Sequence, residues 1–184
     1  MDDSIQSEIY RLAEEANCVR DVAKHSESGV TFWLFEDWGD VKQTNKICET
    51  YMKEHNILDR PNSDYPYLDA ITGGNWGFTD EYYKCDQCCK IYPWMDHRRY
   101  NYFRDNDDDL WCPECIKEYP ETYINYLIEK GDPEDDQTIN MFLSEEVLKK
   151  FGFEKLSGTT KYPGDTKYVD IIYDWDCLYI RPRK

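Results

Sequence analysis

The first readable pattern along the chain is helical. Ile5, Ile9, Leu12, Ala16, Val19 and Ala23 recur at three- and four-residue steps, which predicts an amphipathic helix over residues 4–24. Ser4 is placed to cap it, and Asp2 and Asp3 lie where a helix start favours negative charge. The period changes at residues 29–35, Gly-Val-Thr-Phe-Trp-Leu-Phe, where a short unbroken apolar run rich in β-branched and aromatic residues predicts a strand. Glu36 to Asp40 reads as an acidic turn. A second helical period follows over 41–55 through Val41, Ile47, Cys48, Tyr51 and Met52. Residues 59–80 contain Pro61, Pro66, Gly73, Gly74 and Gly77 and read as loop, with enough aromatic side chains to pack on something.

The second half carries clearer punctuation. A helical turn is expected at Cys112–Cys115, broken near Pro120 and resumed through Tyr123, Leu127 and Ile128 to Gly131. Ser144, then Glu145 and Glu146, then Lys149 and Lys150, then Gly152 spell out a short helix from cap to stop. Residues 153–156, 168–173 and 177–181 read as strands, the last two forming a hairpin about Asp174-Trp175-Asp176. The expected fold class is therefore α+β. A helix–strand–helix region spans 1–80, a cysteine-bearing module 81–131, and a helix with short antiparallel strands 132–184, packed as one unit with the module.

Composition narrows the function classes. The chain has 184 residues, 40% of them hydrophobic and 16% aromatic, so it can bury a core. Its formal net charge of −16 repels nucleic acid over most of the surface, so direct nucleic-acid binding is not expected. That acidity suits a basic protein partner, such as one whose own ligand is nucleic acid; equally, it serves to keep an aromatic-rich chain in solution. No apolar stretch is long enough to span a membrane, and the acidic N-terminus does not read as a signal peptide, so a reducing cytoplasm is the expected compartment. There, clustered cysteines hold metal more often than they form disulfides.

The strongest chemical signal lies at residues 84–117. Cys85 and Cys88 form one Cys-x-x-Cys pair, Cys112 and Cys115 a second, and 23 residues separate the pairs. Four thiolates in two pairs suit one tetrahedral Zn²⁺, each pair gripping an edge of the tetrahedron. With four protein ligands such an ion has no open position and is structural. Cys89, beside the first pair, is a candidate spare ligand; Cys18, Cys48 and Cys177 read as small apolar residues, His25 as a solvated residue, and His55 as structural or exposed rather than a ligand. A turn-borne pair, a hairpin and a second pair opening a helix resemble the treble-clef zinc fold, which implies a helix N-terminus aimed at the thiolates. Asp96-His97 between the pairs is similar to the HNH nucleases, the alternative reading. Ile116, Lys117 and Glu118 stand where that family places its second metal residue, which leaves no evident catalytic cation site.

Arg98, Arg99, Tyr100, Tyr102 and Arg104, followed by Asp107, Asp108 and Asp109, mix arginine, aromatics and acids as partner surfaces do. In the opposing readings the stretch holds nucleic acid through phosphate contact and base stacking, or the arginines simply pair with the nearby aspartates. Taken with Tyr83 to Cys88, Leu110 to Ile116 and Leu148 to Phe153, the chain resembles the small acidic zinc-binding accessory proteins of tailed bacteriophages. The resemblance implies a protein without a catalytic centre that binds and disables a host nucleic-acid-binding or defence protein.

Overall fold

The computed structural model describes residues 3–57, 61–96, 99–100, 102–105, 107–130, 140–156, 169–174 and 177–183, with Asp3, Met95, Asp96, Arg99 and Tyr100 described by backbone alone. The architecture is mixed α+β, and two compact units divide the chain, Met1–Asn101 and Tyr102–Lys184.

The first unit runs α1 (Asp3–Glu15), β1 (Asp21–Lys24), β2 (Thr31–Phe35), α2 (Trp38–Glu54), α3 (Pro66–Thr72), β3 (Trp76–Phe78), β4 (Tyr82–Lys84), β5 (Ile91–Pro93), β6 (Met95–Asp96) and β7 (Arg99–Tyr100). Strand β2 is central, antiparallel to β1 and parallel to β3, with Trp33 opposite Trp76. Its unbroken apolar sequence follows from burial on both faces. Trp33 and Phe35 join Ile9, Ala13, Val41, Cys48, Met52, Leu68 and Ile71 in the main core, while Phe32 and Leu34 pack with Ile91 on the other side.

Several sequence expectations are corrected here. The first helix ends at Glu15, and Val19 and Ala23 belong to the following turn and strand. Asn17 adopts φ 53° and donates its N–H to Glu14 O, while the Cys18 N–H reaches back to Ala13 O at 3.0 Å. This is the Schellman geometry, in which a left-handed residue closes the last carbonyls. Ser4 lies inside the helix, not at its cap. Asn56 and Ile57 end α2 in the same way, and Gly152 and Phe153 end the short helix of the second unit. Second, Glu36 to Asp40 is a helix start, not a turn. Asp37 caps α2, its Oδ1 accepting from the Gly39 and Asp40 N–H groups at 2.6 and 3.1 Å.

Third, the expected loop at 59–80 contains α3 and β3. Pro66 occupies the first turn and Gly73, at φ 66°, closes the end. Tyr65, at the cap position, supplies no side-chain acceptor; Asn45 on α2 does, its Oδ1 taking the Tyr67 and Leu68 N–H groups at 3.1 and 3.0 Å. A cap delivered from another helix cannot be read from local sequence. His25, expected in solvent, is half-buried against the rings of Phe32 and Tyr82.

The second unit runs β8 (Phe103–Arg104), β9 (Leu110–Trp111), α4 (Pro113–Glu118), α5 (Pro120–Lys130), α6 (Glu145–Lys150), β10 (Glu154–Leu156), β11 (Val169–Asp174) and β12 (Cys177–Pro182). Here the expectations hold closely. A break at Tyr119 separates α4 from α5, Ser144 caps α6, and β11 and β12 pair antiparallel with Ile171 opposite Ile180. Strand β12 lies in the middle, with β10 on its other edge. Gly131, the acidic loop at 132–136, and Trp175 and Asp176 of the hairpin fall outside the described residues.

Asp170 on β11 receives Arg181 Nε at 2.9 Å and Arg183 Nε at 3.0 Å. Burial raises its carboxyl pKa, but the two guanidinium hydrogen bonds outweigh that and hold it below the usual value. A depressed folded-state pKa contributes stability above the unfolded value, and that stability is lost as pH falls through the lowered one.

Two variants test these arrangements. Removing the tertiary cap with Asn45→Ala is expected to cost about 1 kcal/mol in urea denaturation. In Asp170→Asn, the acid limb of a stability–pH profile flattens; an unchanged slope below pH ~4 would show the cluster to be energetically idle.

Candidate metal centre

Each cysteine pair is held by local backbone geometry. The β4–β5 hairpin, with Tyr83 opposite Tyr92, brings Cys85 and Cys88 onto its connecting turn. The Cys85 N–H donates to Lys90 O at 2.9 Å and the Cys89 N–H to Cys85 O at 2.8 Å, folding the pair into a tight knuckle. Tyr83 stacks with Tyr92 and Trp94, and the Trp94 indole N–H donates to Thr79 O at 2.6 Å, which stiffens the hairpin below the turn. Lys84 ties the same hairpin to Asp21 on β1 through a 2.6 Å ion pair.

The second pair opens a helix. Cys112 is the N-cap of α4, extended at φ −80° and ψ 160°, with Pro113 in the first helical turn. Its sulfur accepts from the Cys115 N–H at 3.4 Å. A sulfur in the cap position meets the unsatisfied N–H groups of the first turn, which favours the anionic thiolate. Ahead of it, Asp105 organises the β8–β9 hairpin. Its Oδ1 accepts from the Asp107 and Asp109 N–H groups, and its Oδ2 accepts from the Trp111 indole N–H at 3.0 Å.

The four sulfurs converge. The ligand atoms of Cys85, Cys88, Cys112 and Cys115 all lie within 4.8 Å of one another. A tetrahedral Zn²⁺ with bonds of ~2.3 Å spaces its sulfurs by about 3.8 Å, so the cluster fits one ion with small adjustment. Cys85 and Cys112 are fully buried, Cys115 is nearly so and Cys88 is half-buried. No cysteine of the chain is in a disulfide. Buried thiolates this close repel one another strongly and require a cation among them. The donor set is therefore positioned to bind one metal ion, and thiolate softness favours a borderline or soft metal over Ca²⁺ or Mg²⁺.

Cys89 has a different role from that of a spare ligand. It is exposed, lies outside the converging four, and takes φ 57° to close the knuckle. That is a glycine conformation occupied by a side chain. The remaining thiols stay apart from this chemistry. Burial pushes the Cys48 thiol up to about 12. Burial also raises Cys18, against the opposing hydrogen bond from Thr44. Cys177 is half-buried on β12.

The arginine–aromatic stretch is only partly within view. His97, Arg98 and Asn106 lie outside the described residues, and Arg99 and Tyr100 pair with Asp96 and Met95 through backbone. Arg104 is exposed and faces Asp108 at 3.7 Å, a solvated pair of little energetic weight. Tyr102 and Asp109 are half-buried, while Asp107 and Asp108 are exposed. The residue that organises this turn is Asp105. Its only sequence signal was an acid two positions before an Asp-Asp-Asp run, the pattern of a side chain that bonds backbone ahead of it.

Cys89→Gly relieves the left-handed strain and is expected to raise stability by about 1 kcal/mol with metal content unchanged. Cys115→Ser is expected to lose the metal; metal retained there, or lost in the Cys89 variant, would redraw the ligand set. No family model, curated protein or solved structure matches the chain, so the donor set itself carries the chemistry.

Proposed function

We propose that the chain is a non-enzymatic protein-binding module whose middle is clamped by one structural Zn²⁺. The carrying observation is the convergence of four cysteine sulfurs, which supplies all four tetrahedral positions and leaves none for water or substrate. The order of parts, a knuckle pair, a hairpin and a pair opening α4, supports a treble-clef-like arrangement. An ion of this kind supplies on the order of 10–16 kcal/mol of apparent binding energy in small zinc peptides, comparable to the whole stability of a domain.

The partner in this reading is a basic protein, of the class that binds nucleic acid, met in the cytoplasm. The net charge of −16 supports it, as do the exposed carboxylates of Asp107 and Asp108 in the turn of the β8–β9 hairpin. Such a surface draws in a basic groove at long range and does so less at high salt. No described helix is long and apolar enough to cross a membrane. The activity would match that of the small acidic zinc-binding accessory proteins of tailed phages, occupying a host nucleic-acid-binding or defence protein.

Elemental analysis of the purified chain is expected to give about one zinc per molecule, and a strong chelator to abolish cooperative unfolding of the cysteine region. A basic protein captured stoichiometrically from bacterial lysate, and released by raised salt, is the expected functional result. A metal-free chain with unchanged folding would refute the clamp. Mg²⁺-dependent DNA cleavage lost in His97→Ala would replace binding with catalysis.

A further inference from the structure

The first unit carries an aromatic cleft that the metal centre does not use. Trp38, at the start of α2, is 53% exposed, an unusual cost for the largest apolar side chain. Its ring runs nearly parallel to Tyr65, at 5.9 Å and 24°, and nearly perpendicular to Trp76, at 6.3 Å and 86°. Tyr65 is likewise perpendicular to Trp76, at 5.9 Å and 88°. Phe78 supports Trp38 from behind at 4.6 Å. Together with Lys42, Ser63, Asp64 and Asp69, the three rings line a cleft of about 520 Å³.

The polar part of the lining is oriented. The Trp76 indole N–H donates to Asp69 Oδ1 at 2.7 Å, which fixes the carboxylate and leaves its other oxygen to accept. Neither Asp69 nor Asp64 has an ion-pair partner among the described residues. Lys42 lines the rim as one cation against these two carboxylates. The walls come from α2, from residues 63–65 leading into α3, from α3 itself and from β3, and α3 is held by Asn45. The rings are therefore set before any ligand arrives, which lowers the entropy cost of binding.

Aromatic faces attract cations through the ring quadrupole, and a carboxylate oriented beside them accepts N–H donors. A guanidinium meets both requirements. It is planar, weakly hydrated, stacks on indole and forks onto a carboxylate, where an ammonium offers only a point charge. We propose that this cleft receives an arginine side chain of a protein partner. The proposal rests on the basic-partner reading and names where that partner is gripped.

The test uses the full metal-loaded chain and a short fluorescent Gly/Ser peptide carrying spaced arginines, with twins bearing lysine or the neutral isostere citrulline. The arginine peptide is expected to bind most tightly and the citrulline twin not at all. Trp38→Ala, which removes no charge, and Asp69→Asn, which keeps an oxygen for Trp76, are each expected to weaken arginine binding about tenfold. Glu27→Gln removes one exposed charge that does not line the cleft and is expected to change little. Equal binding by Trp38→Ala, equal losses in Asp69→Asn and Glu27→Gln, or binding of the citrulline twin would overturn the proposal. If a basic partner is captured as well by Trp38→Ala as by the parent chain, the cleft is refuted and the partner reading stands. If the arginine peptide needs Trp38 but no basic protein is captured, the cleft stands and that reading falls.

Discussion

The convergence of four sulfurs is the constraint around which the middle of this chain is built. Their approach to within 4.8 Å, three of them buried, gathers soft donors where their ionised forms would repel one another strongly. A cation in their midst would turn that repulsion into four short bonds. It would also close the 23-residue stretch between Cys88 and Cys112, whose own strands are only two or three residues long and too short to hold themselves together. The hydrogen bonds around the site prepare for the ion rather than replace it. The knuckle turn and the capped α4 each fix a backbone from which two thiols project, and the Asp105 hairpin leads into the second pair.

A second economy runs through the helix ends. Asn17, Asn56 and Gly152 all adopt left-handed backbone, and the residue after each donates its N–H back across the last turn. The following side chains, Cys18 and Phe153 fully buried and Ile57 packed against the core, drive each exit inward. In the first unit this redirects the chain from α1 straight into β1, and so brings β2 into the centre of the sheet. The same compactness forces Trp76, Tyr65 and Trp38 to one edge, where their rings find each other but not complete cover.

A closed metal shell and a cleft of oriented aromatics serve different physical ends. As proposed, the first contributes stability and leaves no position open to a substrate. The second exposes apolar surface at a cost to stability. In the proposed role the chain's net charge of −16 would attract cations at long range, and the rings would select their shape by contact.

The amino-acid sequence by itself determined the α+β class, the four converging cysteines, the short helix from Ser144 to Gly152 and the terminal strands. Each of these is written in local chemistry, as Cys-x-x-Cys spacing, capping residues or an unbroken apolar run. Only the tertiary structure decided that 59–80 holds a helix, because its cap comes from Asn45, 22 residues earlier in the chain than Tyr67. Only it separated Val19 and Ala23 from the first helix, because a helical period continues on paper after the backbone has turned at Asn17. It likewise settled that Cys89 shapes the knuckle and that Asp105 anchors a turn and an indole. Spacing reports which side chains share a face; it carries no record of a positive φ or of a partner reached across the fold.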